Sequence, residues 1–149
     1  MTEPTGYTIT RTVEAPIADV WRAWTDPDVA ATWWHPDGVE TPRESVSIDL
    51  RVGGGYAYTM RLEGVGEWPT AGTYLEVREP ERLRFTWGEP DDPRGDDVPV
   101  ATVDLRELPG GRTEMTFRME RLPDDRGTDE STHDGWASAF DVLERTLAG

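Results

Sequence analysis

The stretch TDESTHDGWASAFDVLERTL, residues 128–147, is the last periodic segment of the chain, and its reading decides the fold. Trp136, Phe140, Leu143 and Leu147 recur at spacings of four, three and four, so they form one apolar stripe on a long helix. Thr128 is placed to cap that helix, and Asp129 and Glu130 favour its positive end. A helix with one apolar stripe needs an apolar surface to cover it.

The segment before it supplies that surface. From residue 46 to about residue 122 the pattern has period two, the spacing of half-buried strands. Val46, Ile48 and Leu50 alternate with polar residues; Gly53, Gly54 and Gly55 make a turn; Tyr56, Tyr58, Met60 and Leu62 then share a face. Leu75 and Val77, then Leu83, Phe85 and Trp87, then Val103 and Leu105 mark further strands, and Pro109-Gly110-Gly111 predicts a hairpin turn. Met115, Phe117 and Met119 alternate with Thr116, Arg118 and Glu120 in the last strand. One wet face and one apolar face describe an antiparallel sheet covered on a single side. The acidic segment 89–97, broken by Pro90, Pro93 and Gly95, is expected to be an exposed loop.

Near the start, Tyr7, Ile9, Arg11 and Val13 alternate with threonines in a first strand that Ala15-Pro16 ends. Ile17, Val20, Trp21 and Trp24 follow at helical spacing. Asp26 before Pro27 predicts an N-cap and a second short helix ending near Trp33-Trp34, with turn chemistry over residues 35–38. The expected class is α+β: about seven antiparallel strands in a curved sheet wrapped on a long C-terminal helix, with two short helices after the first strand, all in one domain over residues 1–149. Sheet curvature leaves space between sheet and helix, and the triple glycine is a candidate source of the bend.

Composition excludes several functions. Fifteen basic residues against thirty acidic ones give a net charge of −15, which repels nucleic acid and anionic membranes. There is no cysteine and no lysine, so thiolate zinc sites, disulfides, Schiff bases and a Walker-type phosphate lysine are all excluded. His35 and His133 stand far apart in no metal-binding spacing, and neither a metal nor a cofactor is expected. Ser45 and Ser47 read as the wet face of a strand, and no serine lies in a nucleophile elbow. The start is polar and no run approaches a membrane span, which makes the cytoplasm the expected location.

Taken in order, Ile9-Thr10-Arg11, Ala15-Pro16, Val20-Trp21, Trp24-Thr25-Asp26-Pro27 and Trp33-Trp34 resemble the opening of START/SRPBCC proteins, in the branch of the activator of the heat-shock protein 90 ATPase. Asp49-Leu50-Arg51 before Gly53-Gly54, Gly72 with Tyr74, Pro80-Glu81-Arg82-Leu83 with Phe85-Thr86-Trp87, and Gly135-Trp136 continue the resemblance along nearly the whole chain. It implies a helix-grip fold with a cavity between sheet and C-terminal helix, used by different members for lipids, polyketides or plant hormones. His35 departs from the pattern, since members often carry glycine there.

Large amphipathic rings mixed with methionines suit a pocket lining as well as a core. The ligand-binding set drawn from them is Trp24, Trp34, His35, Tyr58, Met60, Trp87, Phe117, Trp136 and Phe140, and its expected partner is a small apolar molecule, aromatic or lipid-like. Arg11 and His133 are the polar residues whose positions could aim them at the same space, against the plainer reading of solvated side chains. Two alternatives come with the resemblance: a polyketide cyclase or dehydratase, and a cochaperone acting through its surface on a chaperone partner. No acid–base pair stands out for the first. For the second, eukaryotic activators carry a further chaperone-binding domain that is not expected here. A second copy of the chain, forming a homodimer, is the other candidate protein partner.

Overall fold

A computed structural model describes residues 6–35, 38–88, 99–120 and 128–148, the side chains of 6, 128–133 and 148 excepted. The order is β1 (Gly6–Val13), α1 (Ile17–Thr25), α2 (Pro27–Ala30), a 3-10 turn (Arg43–Ser45), β2 (Ser47–Ile48), β3 (Gly55–Leu62), β4 (Gly66–Arg78), β5 (Arg82–Thr86), β6 (Val100–Leu108), β7 (Arg112–Glu120) and α3 (Thr128–Ala148). The seven strands form one antiparallel sheet in the order β1-β7-β6-β5-β4-β3-β2. Strands β2 to β7 run as a meander, and β1 closes the sheet against β7.

Alternation explains which face is covered. Tyr56 and Tyr58 of β3, Leu83 and Phe85 of β5, and Met115, Phe117 and Met119 of β7 are all buried. Trp136, Phe140 and Leu143 of α3 are buried too, so the apolar stripe of the last helix meets the apolar side of the sheet as its spacing requires. Arg11 fastens the two layers. From β1 it donates to Asp141 and Glu144 of α3, each at 2.8 Å, and to the Ala137 carbonyl at 3.2 Å. It is therefore not a pocket residue but a partly exposed strut.

Strand β4 changes partner along its length. Its first part, Gly66–Thr73, pairs with β3, and its last part, from Tyr74, pairs with β5, with a register shift between Tyr74 and Glu76. At Gly72 the backbones close in: an added Cβ would lie 1.9 Å from the Thr86 carbonyl oxygen and 2.7 Å from the Tyr56 ring. The Tyr56 hydroxyl donates to that same carbonyl at 2.6 Å. Glycine is required here because the Thr86 backbone carbonyl, with the Tyr56 ring behind it, occupies the space of a side chain.

Four local expectations are corrected. The shift in β4 buries Tyr74 and leaves Leu75 39% exposed, the reverse of the simple alternation. The second helix stops at Ala30, and a turn carries Trp33 and Trp34, whose amides both bond the Ala30 carbonyl. Only Ser47–Ile48 of the expected strand around Leu50 pairs, because Asp49 begins a turn in which Gly54 donates to the Arg51 carbonyl. Ser45 belongs to the 3-10 turn, where its hydroxyl donates to the Pro42 carbonyl at 2.7 Å and accepts from the Thr59 amide at 3.2 Å. Residues 36–37, the acidic loop 89–97 and the capping side chains at 128–130 lie outside the described residues. With its curved sheet gripping α3, the chain is an α+β helix-grip fold.

Candidate functional site

The interior between sheet and α3 has a closed floor and a more open end. The floor begins with Trp24, which the last turn of α1 directs inward and whose indole donates to the Met115 sulfur at 3.4 Å. Its ring lies 5.9 Å from Trp136 and 6.1 Å from both Phe117 and Phe140. Phe117 is 4.7 Å from Trp136 and 5.2 Å from Phe140. No member of this group is more than 8% exposed. Rings from α1, β7 and α3 at such spacings constitute core packing, whatever else they do.

The other end centres on Tyr58. It stands opposite Thr70 across the β3–β4 ladder, and both are buried. The Trp34 ring lies 4.8 Å from Tyr58. Met60, two residues along the same face of β3, is partly buried. Trp87, just past β5, is also partly buried; its ring is 6.0 Å from Trp136, so it joins the two ends.

This interior is polar in places but not charged. Among the described residues, the buried polar side chains other than tyrosine and tryptophan are Thr41, Thr70, Thr102 and Thr113. Burial pushes the phenols of Tyr56, Tyr58 and Tyr74 above their ordinary value, so all three are neutral at pH 7. At Tyr58 the neighbouring Trp87 and Thr70 side chains partly offset that rise. Trp87 nonetheless lacks hydrogen-bond geometry toward any acceptor: the indole nitrogens of Trp34 and Trp87 are both buried and unpartnered. The floor indoles differ, since Trp33 donates to the Ala23 carbonyl at 2.7 Å and Trp24 to Met115.

His35 is half-buried and follows Trp34 directly. The Thr41 hydroxyl donates to the Trp34 carbonyl at 2.7 Å, so at 3.0 Å its oxygen accepts from His35 Nδ1–H. That bond fixes the tautomer and ties the ring to Thr41.

The structure thus groups Trp24, Phe117, Trp136 and Phe140 in the floor, and Trp34, Tyr58, Met60 and Trp87 around the second end, with His35 beside it. It adds Thr70, which the sequence reading left out, and Trp33, an aromatic that reading noted but did not place in the ligand-binding set. Thr70 lies in a stretch of β4 whose burial pattern shows no alternation, so no signal could mark it. The side chain of His133 lies outside the described residues. A separate open groove of about 430 Å³ at the β3–β4 turn is lined by Glu40, Arg61, Glu63 and Glu67 among others and shares no residue with the aromatic interior. Its one cation, Arg61, already pairs with Glu40 at 2.6 Å.

A curved antiparallel sheet, one long covering helix and an uncharged aromatic interior define a helix-grip protein of the START/SRPBCC class. Within that class the chain belongs to the activator of Hsp90 ATPase homolog 1-like family, whose model matches residues 14–148. A solved protein from Chromobacterium violaceum is similar at 28% identity and a TM-score of 0.83, covering 98% of this chain and 99% of its own. One from Nitrosomonas europaea is similar at 26% identity and a TM-score of 0.82, covering 97% and 94%. An HSP90 activator from Plasmodium falciparum shares the fold at 20% identity and a TM-score of 0.75, over 97% and 96%. No curated protein matches the chain.

Proposed function

We propose that this protein binds a neutral, apolar small molecule, aromatic or lipid-like, between the sheet and α3 at the Tyr58 end. The observation that carries this reading is the gradient of the aromatic set. Its floor is closed, whereas Met60 and Trp87 remain partly exposed beside buried Tyr58 and Trp34. Rings that continue from a closed core to a partly open end offer a flat ligand stacking surface without rearranging the floor. The absence of buried charge among the described residues favours a neutral ligand, since a buried unpaired ion is strongly disfavoured. It also gives a cyclase or dehydratase reaction no fully buried acid–base pair among those residues.

The test is a thermal-shift and calorimetric screen of naphthalenes, flavonoids and fatty-acid esters. A ligand at a hundredfold excess over its Kd should stabilise by about 2.7 kcal/mol, or roughly 5–10 °C for a domain of this size. No shift from any member of the panel refutes the reading.

The family description favours one second reading, action on an Hsp90-type ATPase through the protein's surface. Stimulation of such an ATPase by the purified chain, undiminished in Trp34 and Trp87 variants, would select it over the pocket.

A further inference from the structure

Of the tryptophans that line the interior, four have indole N–H groups that divide into two kinds. Trp24 and Trp33 donate to protein acceptors. Trp34 and Trp87 are buried at nitrogen and donate to none. A buried donor left without a partner costs free energy comparable to a lost hydrogen bond, and native proteins rarely leave two in one region without a reason. Both belong to the same end of the interior: the Trp34 ring is 4.8 Å from Tyr58, and the Trp87 side chain lies near enough to the Tyr58 hydroxyl to offset part of its burial, without the geometry of a formed hydrogen bond. Thr70 and Tyr58 bring two hydroxyls to that end that already act on each other, so the indoles are the donors left over. The end is therefore rich in donors, yet no cation is buried there among the described residues.

We propose that the Tyr58 end recognises its ligand through a neutral oxygen acceptor, the carbonyl of a ketone, ester or amide, taken up by the indole N–H groups of Trp34 and Trp87. The inference rests on the small-molecule reading above and narrows its ligand class. A purely hydrocarbon ligand would fill the space and leave both donors unpaired. A carboxylate would gain the same hydrogen bonds but lose its hydration with no cation to offset the loss. A carbonyl satisfies the donors and carries no charge.

The experiment uses three probes of similar size, 2-acetylnaphthalene, 2-ethylnaphthalene and 2-naphthoate, titrated calorimetrically into the whole chain and into Trp34→Phe and Trp87→Phe. The wild-type protein should bind the ketone about three- to tenfold more tightly than the hydrocarbon for each indole hydrogen bond formed, and the naphthoate more weakly than the ketone. In each variant that preference should shrink toward unity. The comparison of ketone with hydrocarbon within one variant cancels any change of pocket shape. The infrared carbonyl stretch of bound 2-acetylnaphthalene should also move to lower frequency than in hydrocarbon solvent, which tests the bond even if a variant fails to fold.

Equal binding of ketone and hydrocarbon, an unshifted carbonyl band, or tighter binding of the naphthoate overturns the acceptor assignment while leaving the pocket in place. Binding of none of the three overturns the pocket at the Tyr58 end and the acceptor with it.

Discussion

Replacing Trp136 by alanine tests whether the aromatic floor is core. The Trp136 ring is 8% exposed and lies 4.7 Å from Phe117, 5.7 Å from Phe140, 5.9 Å from Trp24 and 6.0 Å from Trp87. Truncating a buried tryptophan to alanine costs about 3–5 kcal/mol, and the upper part of that range applies where partners on several elements cannot collapse into the space. Here the partners sit on α1, β7, α3 and the end of β5, so no single element can move to fill it. The expected loss is about 4–5 kcal/mol, a large part of the 5–15 kcal/mol typical of a domain. With a urea slope of about 2 kcal/mol per molar, the midpoint should fall by roughly 2 M, followed by far-UV circular dichroism. Leu143→Ala, fully buried on the same stripe, is the reference and should cost about 2–5 kcal/mol. A loss below about 2 kcal/mol for Trp136→Ala, with the reference normal, would show that the ring already borders open space and that the floor is misassigned.

Gly72→Ala forces a Cβ to within 1.9 Å of the Thr86 carbonyl oxygen, so β4 and β5 must separate; the expected cost is about 2–3 kcal/mol by urea unfolding, and a neutral result would refute the close approach. Arg11→Leu removes the strut from β1 to α3 and should destabilise by about 1 kcal/mol at low salt, with the difference shrinking in 1 M NaCl if the two carboxylate contacts carry it. Alkaline pH should unfold the protein through its phenols. Tyr56, Tyr58 and Tyr74 have folded pKa values raised above the unfolded value near 10, so below pH 10 both states hold the protons and stability is flat. Above it the unfolded chain releases protons the folded chain keeps, and stability should fall by up to about 4 kcal/mol per pH unit for three groups. A thermal midpoint unchanged between pH 9 and pH 11 would contradict their burial.

The fold was legible where side-chain direction follows from spacing alone. Met115, Phe117 and Met119 had to share a face because successive strand residues point oppositely, and all three are buried. The stripe of Trp136, Phe140 and Leu143 followed equally from helical spacing. Spacing failed where the backbone departs from regularity. The register shift between Tyr74 and Glu76 reverses the faces of β4, which is why Leu75 is exposed where alternation would bury it. The first half of the same strand, with four successive exposed residues and Pro69 among them, offers no period to read. The early end of α2 has a related cause. Neighbouring residues on a helix point about 100° apart, and Trp33 and Trp34, both buried, leave the turn with their rings at 79° to each other.

The same pair shows why the chemistry of the interior is harder to read than its shape. Trp33 and Trp34 are adjacent, identical in type and both buried, yet one indole finds the Ala23 carbonyl ten residues back and the other finds nothing. Apolar burial is a property of a pattern, because any apolar neighbour satisfies it. A hydrogen bond needs one acceptor at one distance and angle, and that acceptor is supplied by the tertiary fold. A list of aromatic residues therefore locates the interior but cannot separate its finished part from its unfinished part. The division between paired and unpaired indoles does so, and it gives the Tyr58 end a chemical demand that the floor lacks.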